Sequence, residues 1–311
     1  MDNFDIPSLM FYDEWEIHKE RHEYYMDQRI VDLHVHTTES DGTLTPQEVI
    51  AEAADAGLSA IALTDHDTCT GIAKAKAAAD ACGIELIPGI ELSTEYAPFS
   101  KEVHIVGLFI DTQNKLLLQK TKEFRECRDN RNALIIEALQ KEGFAITVEA
   151  VTAENPDRVI TRANIARFLY EHHCVKSIRE AFDTYIGDGC RCYVGRLKIS
   201  PMEAVTLIRQ AGGIAVLAHP LLYHLGSAAL QQLIDDVKAV GLVGIEALYS
   251  TYSVSEEQSV KRLAAQNGLL ISGGSDFHGA NKSAIRLGSG LGRLHIPYSV
   301  LEALRASLPT K

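Results

Sequence analysis

The sequence predicts an α/β barrel of parallel strands that carries a helical insertion, and three observations predict it. From Ile30 onward, short apolar runs alternate with longer segments of helical period, the pattern of repeated βα units. Several of those runs are almost wholly apolar, as strands buried on both faces must be. Between Asp111 and Arg196 the alternation stops and helical period alone remains.

Seven strands are predicted: Ile30–His34, Ala60–Thr64, Glu85–Gly89, Val103–Phe109, Ile214–Ala218, Val243–Leu248 and Leu269–Ser272. Helices fill the gaps. Pro46 sits in the first turn of a helix that begins near Thr45, and Pro201 starts another behind Ser200 as N-cap. Gly57 and Gly212 close these two helices. The insertion is predicted as helices over Gln113–Glu142, Arg162–His172 and Ser177–Ile186. This divides the chain into an N-terminal arm (1–28), a barrel (29–111 and 196–311) and a helical insertion that caps the substrate (112–195). The arm is acidic and aromatic, suited to pack across the core or across a partner subunit.

A chain of 311 residues with 46% hydrophobic content can bury a sizeable core. Its longest apolar stretches are broken by Gly, Pro or charge well short of a membrane span, and the first thirty residues lack the apolar core of a secretory signal, so a cytoplasmic protein is expected. Six cysteines are scattered rather than arranged as a disulfide framework. Cys190 and Cys192 form the one close pair; a zinc site there would need two further ligands, and ordinary thiols are expected. A net charge of −12 excludes a protein that grips long nucleic acid through a basic face. Small anionic substrates must then be attracted locally, by bound cations and a few arginines.

The chemistry lies in position. Asp32, His34 and His36 alternate along or just beyond the first strand, and residues two apart on a strand share a face. Asp65 and His66 follow the second strand, Glu91 the third, His219 the fifth, and Asp276 with His278 the seventh. Parallel barrels build their active sites at that end. His104 is the exception, at the start of its strand. Six of the twelve histidines fall in these places; the others (His18, His22, His172, His173, His224, His295) are expected to serve surface or packing roles. Crowding imidazoles and carboxylates together without a cation would incur several kcal/mol in desolvation and displaced pKa values, so the cluster predicts bound metal.

These residues stand in Asp32-Leu-His-Val-His36, Ser40-Asp-Gly42, Thr64-Asp-His-Asp67, Pro88-Gly-Ile-Glu91, Ala218-His-Pro220 and Gly274-Ser-Asp-Phe-His-Gly279. In number and order these motifs resemble the polymerase and histidinol phosphatase (PHP) superfamily, from about Ile30 to Gly290. The branch that looks most similar contains phosphatases of nucleoside monophosphates or 3′,5′-bisphosphates and exonucleases that trim short RNA from its 5′ end. The resemblance implies a distorted (β/α)7 barrel, TIM-like, with an inserted helical domain. It further implies three divalent ions: one held by His34, His36, Glu91 and Asp276, a second by Asp41, His66 and His278, and a third by Glu91, His104 and His219. Imidazole mixed with carboxylate suits Mn²⁺, Fe²⁺ or Zn²⁺, and family practice leans to manganese.

Asp32 and Asp65 are placed in sequence to orient imidazoles, and with His219 they are the candidate catalytic residues beyond the ligands. Divalent ions activate water and polarise a phosphoryl oxygen, so no protein nucleophile is required. None of the Gly-x-Ser-x-Gly or P-loop patterns occurs. A metal-bound water or His219 would assist the leaving oxygen.

Arginine forks match phosphate oxygens. The insertion offers Arg128 and Arg131, with Arg125 at the same three-residue spacing, and Arg162 at a helix start that itself favours an anion. Relatives often show Arg-x-His there; this chain has Arg162-Ala-Asn164, so Asn164 is the candidate at the third position, and Arg196 and Lys198 could supply charge in compensation. The expected partner is a small phosphorylated substrate, a nucleotide or short oligoribonucleotide, with no long DNA and no membrane. The alternatives are a histidinol-phosphate phosphatase, which shares the metal constellation; an amidohydrolase, in which a carboxylated lysine often takes the bridging place Glu91 has here; and an inactive binding module, which decay would have stripped of ligands.

Overall fold

The computed structural model describes residues 29–154, 159–195 and 198–309. The N-terminal arm and Arg196 lie outside the described residues. Strands β1 (Ile30–Val35), β2 (Leu58–Leu63), β3 (Glu85–Tyr96), β4 (Lys101–Leu108), β5 (Ile214–Leu217), β6 (Gly244–Tyr249) and β7 (Leu270–Gly274) follow one another in a single sheet. All seven expected strands are present.

Their direction differs from expectation at one place. β4 runs antiparallel to both β3 and β5, while the other neighbours are parallel. The cause is the length of the connection. Only residues 97–100 lie between β3 and β4, and a parallel return needs a crossover of a dozen residues or more. β3 therefore runs on to Tyr96 and folds back as a hairpin.

The sheet curls until its edges meet. Just past β7 the Asp276 amide donates to the His34 carbonyl (2.8 Å) and the His36 amide to the Phe277 carbonyl (3.0 Å), closing the rim. Gly274 permits this approach: a Cβ there would lie 2.1 Å from that of His34. Val31, Leu33, Ala60, Ala62, Val106, Leu108, Ile214 and Val216 fill the barrel, and Leu301 and Leu304 of the last helix, α10 (Tyr298–Ala306), plug its far end.

The outer face of the sheet packs against α1 (Pro46–Asp55), α2 (Thr70–Cys82), α7 (Pro201–Gln210), α8 (Ser227–Ala239) and α9 (Val254–Asn267). Thr45 with Glu48 and Ser200 with Glu203 form reciprocal capping boxes at α1 and α7. Gly57 and Gly212 follow the two C-caps with φ of 73° and 77°, where a side chain would be strained.

Between β4 and β5 stand α3 (Lys115–Lys141), α4 (Val148–Ala153), α5 (Arg162–Glu171) and α6 (Ile178–Glu180), the last running into a π-helical turn over Ala181–Ile186. They bury their own core, with Ile135, Leu139, Val151, Ile165, Leu169 and Ile186 at its centre. α4 is the helix that periodicity did not pick out; at six residues it is too short to show a face.

Candidate metal centre

The reversal of β4 resolves the one ligand that looked misplaced. Because β4 starts where its neighbours end, His104 enters from the same rim as the rest, and its carbonyl accepts from the Ala218 amide beside His219. On β1 the pairing register shifts between Asp32 and Val35. Val31 and Leu33 point into the barrel, whereas Val35 packs outward, so the facing residues change parity there. His34 and His36 consequently meet, Nε2 to Nε2 at 3.1 Å, while Asp32 leaves their face.

Glu91 is the hub. Its Oε1 lies 2.9 Å from His104 Nδ1 and 3.2 Å from His219 Nε2. Its Oε2 lies 3.2 Å from Nε2 of both His34 and His36 and 3.0 Å from His66 Nδ1. Asp276 Oδ1 faces His36 at 3.4 Å, His278 Nδ1 at 3.3 Å and His34 at 3.7 Å. Asp41 Oδ1 lies 3.2 Å from His278 Nε2, and Oδ2 lies 3.9 Å from His66 Nε2. Donor atoms of four groups converge within 4.8 Å: His36, Asp41, His66 and His278; His34, Glu91 and His219; His34, His36 and Asp276; and His66, Glu91 and His104.

Chemistry and geometry together fit divalent cations. Among the described residues, Asp41 Oδ1, His66 Nδ1 and His219 Nδ1 are buried with no hydrogen-bond partner, although two of them have a site atom at close range. Close contact without a hydrogen bond between lone-pair donors is the arrangement a shared cation reconciles. The nitrogen and oxygen donor set suits transition ions.

Electrostatics shows what protons must do when no cation is there. Burial alone would raise the Glu91 carboxyl, but His34, His66 and His104 override it and hold it well below the usual carboxylate range. Burial would likewise raise Asp41 and Asp276; His278 and His66 hold the first well down, and Lys282 and His278 the second. Burial opposes charge on the rings too, yet Asp276 and Glu91 lift His36 to about 9, and Glu91 and Glu102 lift His104 to about 10. His66 goes the other way: burial dominates and takes it to about 3.

Asp32 and Asp65 do something other than orient rings. Asp32 accepts from the backbone amides of His34, Ser275 and Gly288, tying β1 to the loops after β7. Asp65 accepts from the amide and hydroxyl of Thr37 and from the Ser40 hydroxyl, fixing the loop that carries Asp41. Burial raises both carboxyls, against these bonds. Gly42 ends that loop, where a Cβ would lie 2.6 Å from the His36 carbonyl oxygen.

Imidazole ring nitrogens instead face Glu246, Ser40 and Glu102. Glu246 Oε1 lies 3.1 Å from His34 Nδ1, Ser40 Oγ 3.4 Å from His36 Nδ1 and Glu102 Oε1 3.3 Å from His104 Nε2. Sequence reasoning passed over Glu246, although a single carboxylate within the apolar run Gly244–Tyr249 was a visible signal. It also passed over Lys282 and Tyr249, which contact Asp276 Oδ2 at 2.5 and 2.6 Å.

The insertion roofs one side of the cluster. A cavity of about 230 Å³ is lined by Asp41, His66 and His104 from the rim and by Arg128, Arg131 and Arg162 from above, with Lys198 at its edge. Arg128 is buried and donates to Asp67 Oδ2 at 2.5 Å and to the His66 carbonyl. Arg162 pairs with the exposed Asp188 at 2.8 Å, and Lys198 with Glu102 at 2.6 Å. Asn164 does not line the cavity. Its side-chain oxygen accepts from the amide and hydroxyl of Thr161, capping α5, which is the use helix starts make of such a residue. All six cysteines are free, Cys190 and Cys192 included.

The PHP domain family profile matches residues 32–209. The 3′,5′-nucleoside bisphosphate phosphatase of Chromobacterium violaceum is 38% identical over 250 residues, 80% of this chain and 87% of that protein. The 5′–3′ exoribonuclease Rnm of Escherichia coli is 36% identical over 251 residues, 80% of this chain and 85% of that one. A solved chain from Bifidobacterium adolescentis described as a metal-dependent phosphoesterase superposes with a TM-score of 0.78 at 27% identity, covering 91% of this chain and 98% of that chain.

Proposed function

The chain belongs to the PHP domain family and is a hydrolase of phosphoric esters; from that premise we propose that it removes a phosphate from a small nucleotide, a nucleoside 3′,5′-bisphosphate or monophosphate, and that it trims short RNA from the 5′ end. The observation that carries the reading is Glu91, ringed by five imidazoles directly beneath a cavity lined by three arginines.

In this reading His34, His36, Glu91 and Asp276 hold one ion, Asp41, His66 and His278 a second, and Glu91, His104 and His219 a third, with Mn²⁺ the expected metal. One Glu91 oxygen faces His104 and His219, which supports the third set, and the other faces His34 and His36 with His66 Nδ1 beside them. Bound divalent ions supply Lewis-acid polarisation of phosphoryl oxygens and activation of water. Arg131 and Arg162 bind and orient the phosphate from the roof, and Arg128, held by Asp67, lines the cavity beside them. In this reading His219 serves the third ion through Nε2, the atom that faces Glu91, and the proton for the leaving oxygen comes from that ring or from water. Unpaired cysteines support the cytoplasmic location that belongs to this reading.

Phosphate release by the Mn²⁺-loaded protein, measured over nucleoside mono- and bisphosphates, histidinol phosphate and a 5′-phosphorylated oligoribonucleotide, tests it. Preference for histidinol phosphate, or unchanged turnover in Asp276→Ala, overturns it.

A further inference from the structure

Glu246 is a carboxylate in the middle of an apolar strand, only 2% exposed, and His34 is its one ion-pair partner among the described residues. Burying such a group is costly unless each oxygen is used. Both are. Oε2 accepts from the His219 backbone amide at 2.8 Å, and Oε1 stands 3.1 Å from His34 Nδ1.

We propose that Glu246 is a positioning residue for the metal centre: it fixes the tautomer of His34 and the backbone of His219 at once. This rests on the metal-dependent reading above. Oε2 is an acceptor, because a backbone N–H can only donate. Oε1 serves His34 in the same way only if the ring carries its proton on Nδ1, which leaves the Nε2 lone pair free. That Nε2 is the atom aimed at Glu91, His36 and Asp276. The second contact acts on geometry. His219 has φ of 23°, a strained value for a residue with a side chain, and its ring reaches Glu91 Oε1 from that backbone. One carboxylate on β6 thus sets donors on β1 and just past β5 that converge on the two oxygens of Glu91.

Glutamine has the same shape but only one accepting atom, so it cannot serve both partners. With its oxygen kept on the His219 amide, its NH₂ faces His34 Nδ1 and drives the ring proton to Nε2, where it blocks coordination. With the amide reversed, the NH₂ opposes the His219 N–H and that residue shifts.

The test uses the full chain. Ring ¹⁵N spectra of the Zn²⁺-loaded wild type should show His34 protonated at Nδ1. Calorimetric titration with Zn²⁺ and Mn²⁺ should show E246Q binding about 10- to 100-fold more weakly, with the His34 ring signature altered, while thermal melting in EDTA shows the variant folded. A purely structural role would leave the ring signature in place. A loaded wild type whose His34 carries its proton on Nε2 overturns the proposal, and that spectrum decides the matter even if E246Q does not fold. Wild-type uptake of metal with an unaltered E246Q overturns this proposal alone; a wild type that takes up no ion overturns the metal-dependent reading with it.

Discussion

At the rim of the barrel, ligand-type side chains arrive from strand ends or the loops just beyond them and are locked together by backbone pairing. Above them, the arginines arrive from helices, and Arg128 and Arg162 are already paired with carboxylates of this same chain. The rim is therefore a preorganised cluster that answers to loss of any one donor, whereas the roof combines one buried pair, Arg128 with Asp67, with one exposed pair, Arg162 with Asp188, that a phosphate can displace. The difference teaches where, in the proposed function, chemistry and selectivity would reside: hydrolysis on the strand ends, and the choice of ester on the helices.

Substitutions can break or sharpen this contrast. Asp276→Ala should cut turnover by at least about 10³-fold, since ions there contribute several kcal/mol of charge stabilisation; single-turnover phosphate release measures it. Arg128→Ala removes the ion pair of the buried Asp67 and should lower stability by about 3–5 kcal/mol. In denaturant titrations the double change Arg128→Met with Asp67→Asn should recover much of that loss, because neither charge of the pair remains. If the single change is neutral, the roof is not anchored to the rim at this point.

Protons provide the third test. Without ions, His36 and His104 keep their protons to about 9 and about 10. An ion must expel those protons, so affinity should climb by about tenfold per pH unit for each proton displaced, up to pH 9 to 10. The stability of EDTA-treated protein should move oppositely. Rings with raised pKa stabilise the fold fully below their unfolded value near 6.5, and that contribution is lost as pH rises through 9 and 10. His66, at about 3, works in reverse and favours the fold above 6.5. Melting and ion titrations across pH 6 to 10 follow both slopes. The smallest effect belongs to Arg162→Ala, which should raise KM roughly tenfold while changing stability by less than about 1 kcal/mol, since its partner Asp188 is exposed.

Much of this was legible in the sequence. Apolar runs marked all seven strands, and Pro46 behind Thr45 and Pro201 behind Ser200 marked two helix starts. What the sequence could not carry was direction and facing. An apolar run reads the same upward or downward, so β4 looked parallel and His104 looked misplaced. A shifted register cannot be seen in alternation, so Asp32 looked like a companion of His34 and His36. Adjacency in sequence also misled for Asp65, whose oxygens reach back to Thr37 and Ser40 rather than to its neighbour His66. Asn164 was read as a phosphate contact when its oxygen closes a helix start.

The reversed strand has a mechanical consequence. Since β4 ends at the bottom of the barrel, the chain must climb back to the rim before the insertion can meet substrate, and α3 is that climb. From Lys115 to Arg128 it rises about 20 Å, the height of a six-residue strand. It is bolted low, where Asn114 holds the Gln210 carbonyl, and high, where Arg128 holds Asp67. A strut fixed at both ends moves with the barrel. Arg128 is thereby carried by the rim itself, whereas Arg162 stands apart on α5 and pairs with the exposed Asp188.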